Sequence, residues 1–241
     1  VSDAPQFPPL FSGMPLSGHA DPFAKAQMQA TLGCDAGLVV YNISDTLLRA
    51  AMVFAPDVTL QNALPVTIAC GLGFQNALGA LAPPEVSIHL EWHGGIRING
   101  ASCGQFRIAG STQHADAHPD WIVVGLELPL RPRDADTPGQ RPDQTWLYEE
   151  GCVEVAPPNL IGAWARHTLV WINRMESDGL APLHAEWRGL AQDLGEEVSW
   201  NVGGKEEIGT FVGVDEEFGA LLRRGNATRL IPLITLLEGK T

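Results

Sequence analysis

The stretch 86–104, VSIHLEWHGGIRINGASCG, constrains the fold more than any other part of this 241-residue chain. Apolar and polar residues alternate along it. Val86, Ile88, Leu90 and Trp92 share one face, and Ser87, His89, Glu91 and His93 share the other. A period of two belongs to a half-buried strand. Gly94-Gly95 turns the chain into Ile96–Ile98, and Asn99-Gly100 turns it again into a strand from about Cys103 to Ala109. Short turns join only antiparallel neighbours, so the chain must build an antiparallel sheet.

The flanking sequence supplies the other layer. Asp21 offers a helix N-cap with Pro22 at the first helical position, and Gly33 ends that helix. Gly37–Tyr41 and Arg49–Ala55 bracket a short loop and predict an antiparallel strand pair. Apolar residues at 64, 68, 72, 78 and 81 follow a helical period, with Pro65 tolerable in the first turn. Residues 110–120 read as a polar loop, Trp121–Leu128 as a strand and 131–145 as a surface loop. Asn159 is expected to cap a long helix with a stripe of Leu160, Trp164, Trp171 and Met175, ended by Gly179, and Leu183–Leu190 continues as a short helix. Beyond about residue 191 the texture changes to short strands with turns at Gly203-Gly204, Asp215-Glu216 and Gly225-Asn226. The fold class expected is therefore α+β. It has an extended arm over 1–20, a mostly antiparallel sheet with helices on one side over 21–190, and a small β unit over 191–241.

Composition narrows the function. Fifteen Lys plus Arg against 28 Asp plus Glu give a net charge of −13, the wrong sign for nucleic acid or an anionic membrane. The longest apolar runs, such as Leu230–Leu237, fall short of a bilayer span, and no secretory pattern opens the sequence, so a cytoplasmic protein is expected. Cys34, Cys70, Cys103 and Cys152 form no C-x-x-C pair and read as reduced, structural thiols. The N-x-[ST] triplets at Asn42 and Asn226 carry no weight without a secretory route.

Three stretches together resemble the biotin/lipoate protein ligase family. RAAMVFAPDVTLQNALPVTIACGLGFQNALGAL at 49–81 is similar to that family's strand, loop and long helix. HLEWHGGIRINGASCG at 89–104 lies where biotin ligases carry a K-W-P-N-D strand and a following K-x-x-G strand. INRMESDGLAPLHAEWRGL at 172–190, with the β-rich segment after it, is similar to the helix and SH3-like module that close those enzymes. The resemblance spans most of 20–241. It implies a class II synthetase-like sheet, a small SH3-like barrel, a cleft for a small carboxylate ligand and a biotinyl or lipoyl acceptor domain as partner. A homodimer is also compatible with it. The first 20 residues leave no room for a helix-turn-helix.

The departures bear on chemistry. The family's G-R-G-R-R-G segment, which wraps ligand and phosphates, has no counterpart in the seven residues between Tyr41 and Arg49. The motif lysine aligns with Glu91, Trp92 matches the motif tryptophan, and His93-Gly94-Gly95 replaces Pro-Asn-Asp. Of K-x-x-G only Gly104 remains, with Ala101-Ser102 near the lysine position. Gly125 matches the glycine before the family's G-I-N stretch, which Leu126-Glu127 replaces. Arg49 and Arg97 are the cations that could take the lost lysine's role or form surface ion pairs. A cation about 4 Å from a phosphate contributes roughly 4 kcal/mol at an effective dielectric near 20, and an anion reverses the sign. The candidate ligand-binding set is therefore Arg49, His89, Glu91, Trp92, His93, Gly94, Gly95, Arg97, Gly104 and Gly125. No catalytic residue is assigned and no cofactor is identified. His89, Glu91 and His93 on one strand face also suit Zn²⁺ or Fe²⁺ chemically, though alternate residues sit about 6.5 Å apart. Three functions stay open: a diverged ligand-binding relative, a working ATP-dependent ligase and a non-catalytic interaction module.

Overall fold

In the computed structural model, which describes residues 4–132 and 143–238, the meander becomes part of a seven-stranded sheet. Its elements are β1 (Ser12–Pro15), α1 (Pro22–Thr31), β2 (Leu38–Ile43), β3 (Leu47–Phe54), α2 (Leu60–Ala63), α3 (Val66–Leu81), β4 (Ile88–Leu90), β5 (Gly95–Ile98), β6 (Ala101–Gly110), β7 (Ile122–Pro129), α4 (Pro157–Asp178) and α5 (Ala181–Leu190). The strand order is β1-β2-β3-β7-β6-β5-β4. Every pair is antiparallel except β1–β2, where the arm lays Ser12–Pro15 alongside Leu38–Tyr41 as a parallel edge strand. A second antiparallel sheet, ordered β11-β10-β9-β8, is built from β8 (Glu197–Val202), β9 (Lys205–Val214), β10 (Ala220–Arg224) and β11 (Ala227–Ile231).

The period-two pattern sorts the helices. Met52, Ile96, Ile98, Ile108 and Val124 face the core that α3 and α4 cover, while Ala51, Val53, Ala109 and Val123 face Phe23, Ala26 and Ala30 of α1. Helices thus lie on both faces, which corrects the one-sided expectation: α1 is short, but its apolar stripe needs a sheet face of its own. Asp21 caps α1 by accepting a hydrogen bond from the Phe23 amide at 3.1 Å.

Two further expectations shift. Helix α4 begins at Pro157 with Ala156 as N-cap, so Asn159 lies inside the first turn. Pro157 and Pro158 fix helical φ where no amide donor is needed. The strand read over 86–92 is regular only from Ile88 to Leu90. Glu91 already enters the turn, its carbonyl accepting from the Gly94 amide at 3.0 Å. The middle of the loop expected over 131–145, residues 133–142, lies outside the described residues.

Helix α3 crosses α4 closely enough that Gly73 lies against Thr168, and Trp164 Nε1 donates to the Cys70 carbonyl at 2.9 Å. By length and composition Leu60–Leu81 is apolar enough to cross a membrane, although it contains polar residues and no unbroken apolar run of that length. In the fold its most apolar 18-residue window is 72% buried, as expected of a core helix.

Candidate functional site

On the face that α1 shares, side chains of odd-numbered residues on β3, β7 and β6 leave the apolar layer and become polar. Register places Arg49 opposite Glu127, Glu127 opposite Gln105, and Gln105 opposite Gly95, one row across four strands. In the next row Arg107 lies opposite Gly125. Cross-strand neighbours of this kind stand about 5 Å apart, so the row is a continuous polar floor.

At one end of the floor is a cavity of about 280 Å³, lined by Thr46, Ser102, Gly104, Glu127, Arg131 and Trp146 among others. Its wall is the β2–β3 turn. Ser44 ties that turn shut by exchanging hydrogen bonds with the backbone of Leu47. The turn is therefore short and fixed. Gly104, at φ +110°, lies so close to the Glu127 carbonyl that a side chain there would collide with it.

Next to the cavity the floor is plugged. The Phe23 ring rests on Gly125, where an added Cβ would stand 2.6 Å from a ring carbon, and only about 10 Å³ remains among Asp21, Phe23, Arg49, Arg107 and Glu127. Arg107 lies over that ring, 4.3 Å from its centroid. The guanidinium is held by Glu238 in a two-pronged pair of 2.6 and 2.8 Å and by Asp21 at 3.4 Å. Such forked pairs are both strong and directional. Arg49 donates to the Ala20 carbonyl at 3.2 Å.

Glu91 sits at the far edge. One carboxylate oxygen accepts from Arg97 Nε at 2.6 Å, and the other is 3.6 Å from His93 Nε2. The Glu91 side chain is 11% exposed and that of Arg97 27%. Gly95 makes the fit possible, because a Cβ there would strike the carboxylate. The Glu91 carboxylate is therefore already paired. His89, Glu91 and His93 are not gathered around one point, and no group of three possible metal ligands occurs among the described residues.

Trp92 and His93 leave the floor altogether. Trp92 stacks on Trp200 with ring centroids 5.4 Å apart, and its Nε1 donates to the Phe218 carbonyl at 2.7 Å. His93 stacks on the same Trp200 at 5.7 Å. Burial pushes the His93 imidazole below its usual value. Glu91 and Asp193 pull it back up, while Arg97 adds to the lowering. Its Nδ1 is buried without a partner among the described residues.

The ten residues singled out in the sequence thus divide. Arg49, Gly104 and Gly125 belong to the floor; His89, Glu91, Gly95 and Arg97 form its charged edge; Trp92 and His93 make the junction with the second sheet; and Gly94 packs on β6, its carbonyl accepting from the Phe106 amide at 2.7 Å. Sequence reading passed over Phe23, Gln105, Arg107, Arg131 and Glu238, and noted Glu127 only as a replacement. Strand parity with Arg49 was a usable signal for Gln105, Arg107 and Glu127. No local signal marks Glu238, which is 131 positions from Arg107.

Comparison with known proteins agrees with this architecture. A biotin protein ligase-like protein of unknown function from Silicibacter sp. TM1040 superimposes with a TM-score of 0.90 at 53% identity, covering 98% of this chain and 100% of that one. Biotin protein ligase from Aquifex aeolicus shares the fold at a TM-score of 0.73 and 17% identity, covering 92% of this chain and 95% of its own. The same enzyme solved with biotin and ATP gives 0.72 at 16%, covering 91% and 95%. No curated protein matches the chain. Residues 194–239 match a domain of unknown function (DUF4444). Because the model of the biotin/lipoate A/B protein ligase family matches residues 7–189, the chain belongs to that family.

Proposed function

We propose that this chain is a family member whose adenylation apparatus has diverged, and that its polar floor binds a small carboxylate ligand without activating it. The observation that carries the reading is the pairing of Glu91 with Arg97 at 2.6 Å. The position aligned with the family's lysine holds an acid, and the nearest cation is spent neutralising it. Arg107 is likewise occupied by Glu238 and Asp21. A triphosphate brings several negative charges. Each phosphate left without a cation about 4 Å away forgoes roughly 4 kcal/mol at an effective dielectric near 20. The cavity at Thr46, Ser102 and Arg131 keeps polar donors of a kind that suits one carboxylate. We read 191–241 as a small SH3-like unit attached to a ligase-like unit over 21–190 and an arm over 1–20, in a cytoplasmic protein.

The test is incubation with ATP, biotin or lipoate and an apo acceptor domain, read by mass spectrometry of the acceptor. Calorimetry with biotin, lipoate and octanoate runs alongside. The expected result is an unmodified acceptor together with heat from at least one carboxylate, abolished by Arg131→Ala. A labelled acceptor would show a working ligase, and absence of heat from all three acids would favour the interaction module. Either result overturns the reading.

A further inference from the structure

Between the C-terminal part of α4 and the end of β3 lies a groove of about 730 Å³ that shares no lining residue with the cavity on the polar floor. Ile172 and Met175 from α4, Val66 from α3, Phe54 from β3, Ile122 from β7 and Val58 supply most of an apolar lining. The volume lies within the 300–1,000 Å³ of small-molecule sites.

Its charge is one-sided. Asp57, Glu176 and Glu217 line the groove with Gln61 and Asn62, and the lining contains no Lys, Arg or His. Glu217 reaches it from the loop before β10, positioned by the hydrogen bond its backbone N–H donates to the Asp215 carboxylate and by one its own carboxylate accepts from Gln61. Among the described residues no ion pair engages any of the three carboxylates. The last turn of α4 ends at the same place, with Gly179 as C-cap, so the negative end of a 22-residue helix adds to the potential. An apolar trough with acids at its rim and a helix C-terminus beside them is complementary to a cation on a hydrocarbon body.

From this complementarity we propose that the groove is a second binding site, for a small amphipathic cation: an amine or quaternary ammonium group carried on an alkyl or aryl body. The hydrocarbon lies along Ile172, Met175 and Phe54, and the ammonium group meets Glu176, Asp57 and Glu217. The site does not rest on the carboxylate-binding reading, because the two surfaces share no residue. It needs the second unit in place, since Glu217 comes from there.

The experiment is titration of the full chain with hexyl-, octyl- and decyltrimethylammonium below their micellar concentrations, with alkyl sulfonates of equal length as controls. Affinity for the cations should rise about fourfold per methylene. Sulfonates should bind at least tenfold more weakly. Asp57→Asn, Glu176→Gln and Glu217→Gln together should cost about tenfold for the cation, in line with partly exposed charge pairs. Met175→Trp, which fills the trough, should abolish binding while the circular dichroism spectrum and the biotin calorimetry stay unchanged. Equal binding of sulfonates, or no loss in the triple variant, would show an unselective apolar surface and overturn the proposal. So would a dimer in light scattering that buries Met175 and excludes the alkylammonium.

Discussion

A double-mutant cycle on Glu91 and Arg97 tests the central claim, that the acid is neutralised in place. The Nε–Oε1 distance is 2.6 Å and the carboxylate is 11% exposed. Opposite charges about 4 Å apart attract by roughly 4 kcal/mol at an effective dielectric near 20, and the partial exposure of Arg97 lowers that figure. A coupling energy of about 1–3 kcal/mol follows. Arg97→Met strands a mostly buried carboxylate, with only His93 Nε2 at 3.6 Å to share it, and should cost about 2–3 kcal/mol. Glu91→Gln should cost less, because Arg97 can turn to water and keeps its hydrogen bond to the Gly100 carbonyl. The double variant should be more stable than Arg97→Met alone. Urea midpoints with an unchanged m-value give the four stabilities. If the single effects simply add, within about 0.5 kcal/mol, Glu91 is not held by Arg97 and the argument against phosphate binding loses its base.

Two further outcomes are expected. Burial lowers the folded His93 pKa below its usual 6.5, so below that pH the unfolded chain binds more protons than the folded one. Stability from this group is complete above pH 6.5 and lost as pH falls through the folded value, and His167, lowered chiefly by burial, acts in the same sense. Urea midpoints should therefore drop from pH 7 to pH 5, and His93→Phe, which preserves the stack on Trp200, should flatten the slope; an unchanged slope would refute the assignment. Gly73→Ala places a methyl 2.5 Å from Thr168 Oγ1 and 2.7 and 2.9 Å from its backbone N and Cα, so α3 and α4 must separate at a cost of about 1–3 kcal/mol. Thr168→Ala should fail to restore the midpoint, because the backbone atoms still block the methyl.

What the sequence disclosed followed from local rules. Asp21-Pro22 marked α1, Asn99-Gly100 sits at φ +51° and +88° in its turn, and the alternation of 86–93 survives as buried Ile88, Leu90 and Trp92 against half-buried His89, Glu91 and His93. The illegible parts depend on distant partners. Ser12–Pro15 shows no strand pattern because its pairing with β2 is a backbone matter at the sheet edge. The Glu91–Arg97 pair depends on how the Gly94-Gly95 turn folds the carboxylate under β5, which residue types alone do not fix. Asp21 and Glu238 converge on Arg107 from 86 and 131 positions away, so the neutralisation of that cation exists only in the folded chain.

These remote contacts give the second sheet a specific part in the site. Trp200 and the Phe218 carbonyl grip Trp92 at the β4–β5 turn, so the turn that carries Glu91 is clamped from outside the first sheet. At the other end of the floor Leu237 pairs with Ile108, and the Glu238 amide donates to the Ile108 carbonyl at 2.9 Å. That pairing delivers the Glu238 carboxylate to Arg107. Stacked aromatic pairs contribute about 0.5–1.5 kcal/mol beyond their buried area, and charged hydrogen bonds about 1.5–3 kcal/mol. The docking is therefore secured by unlike interactions at two separate points. A second sheet held in that way fixes the orientation of Glu91 and removes Arg107 from circulation. On the function proposed above, the loss of phosphate binding would be a property of the two sheets together, because substitutions within the first sheet account for Glu91 and leave Arg107 unexplained.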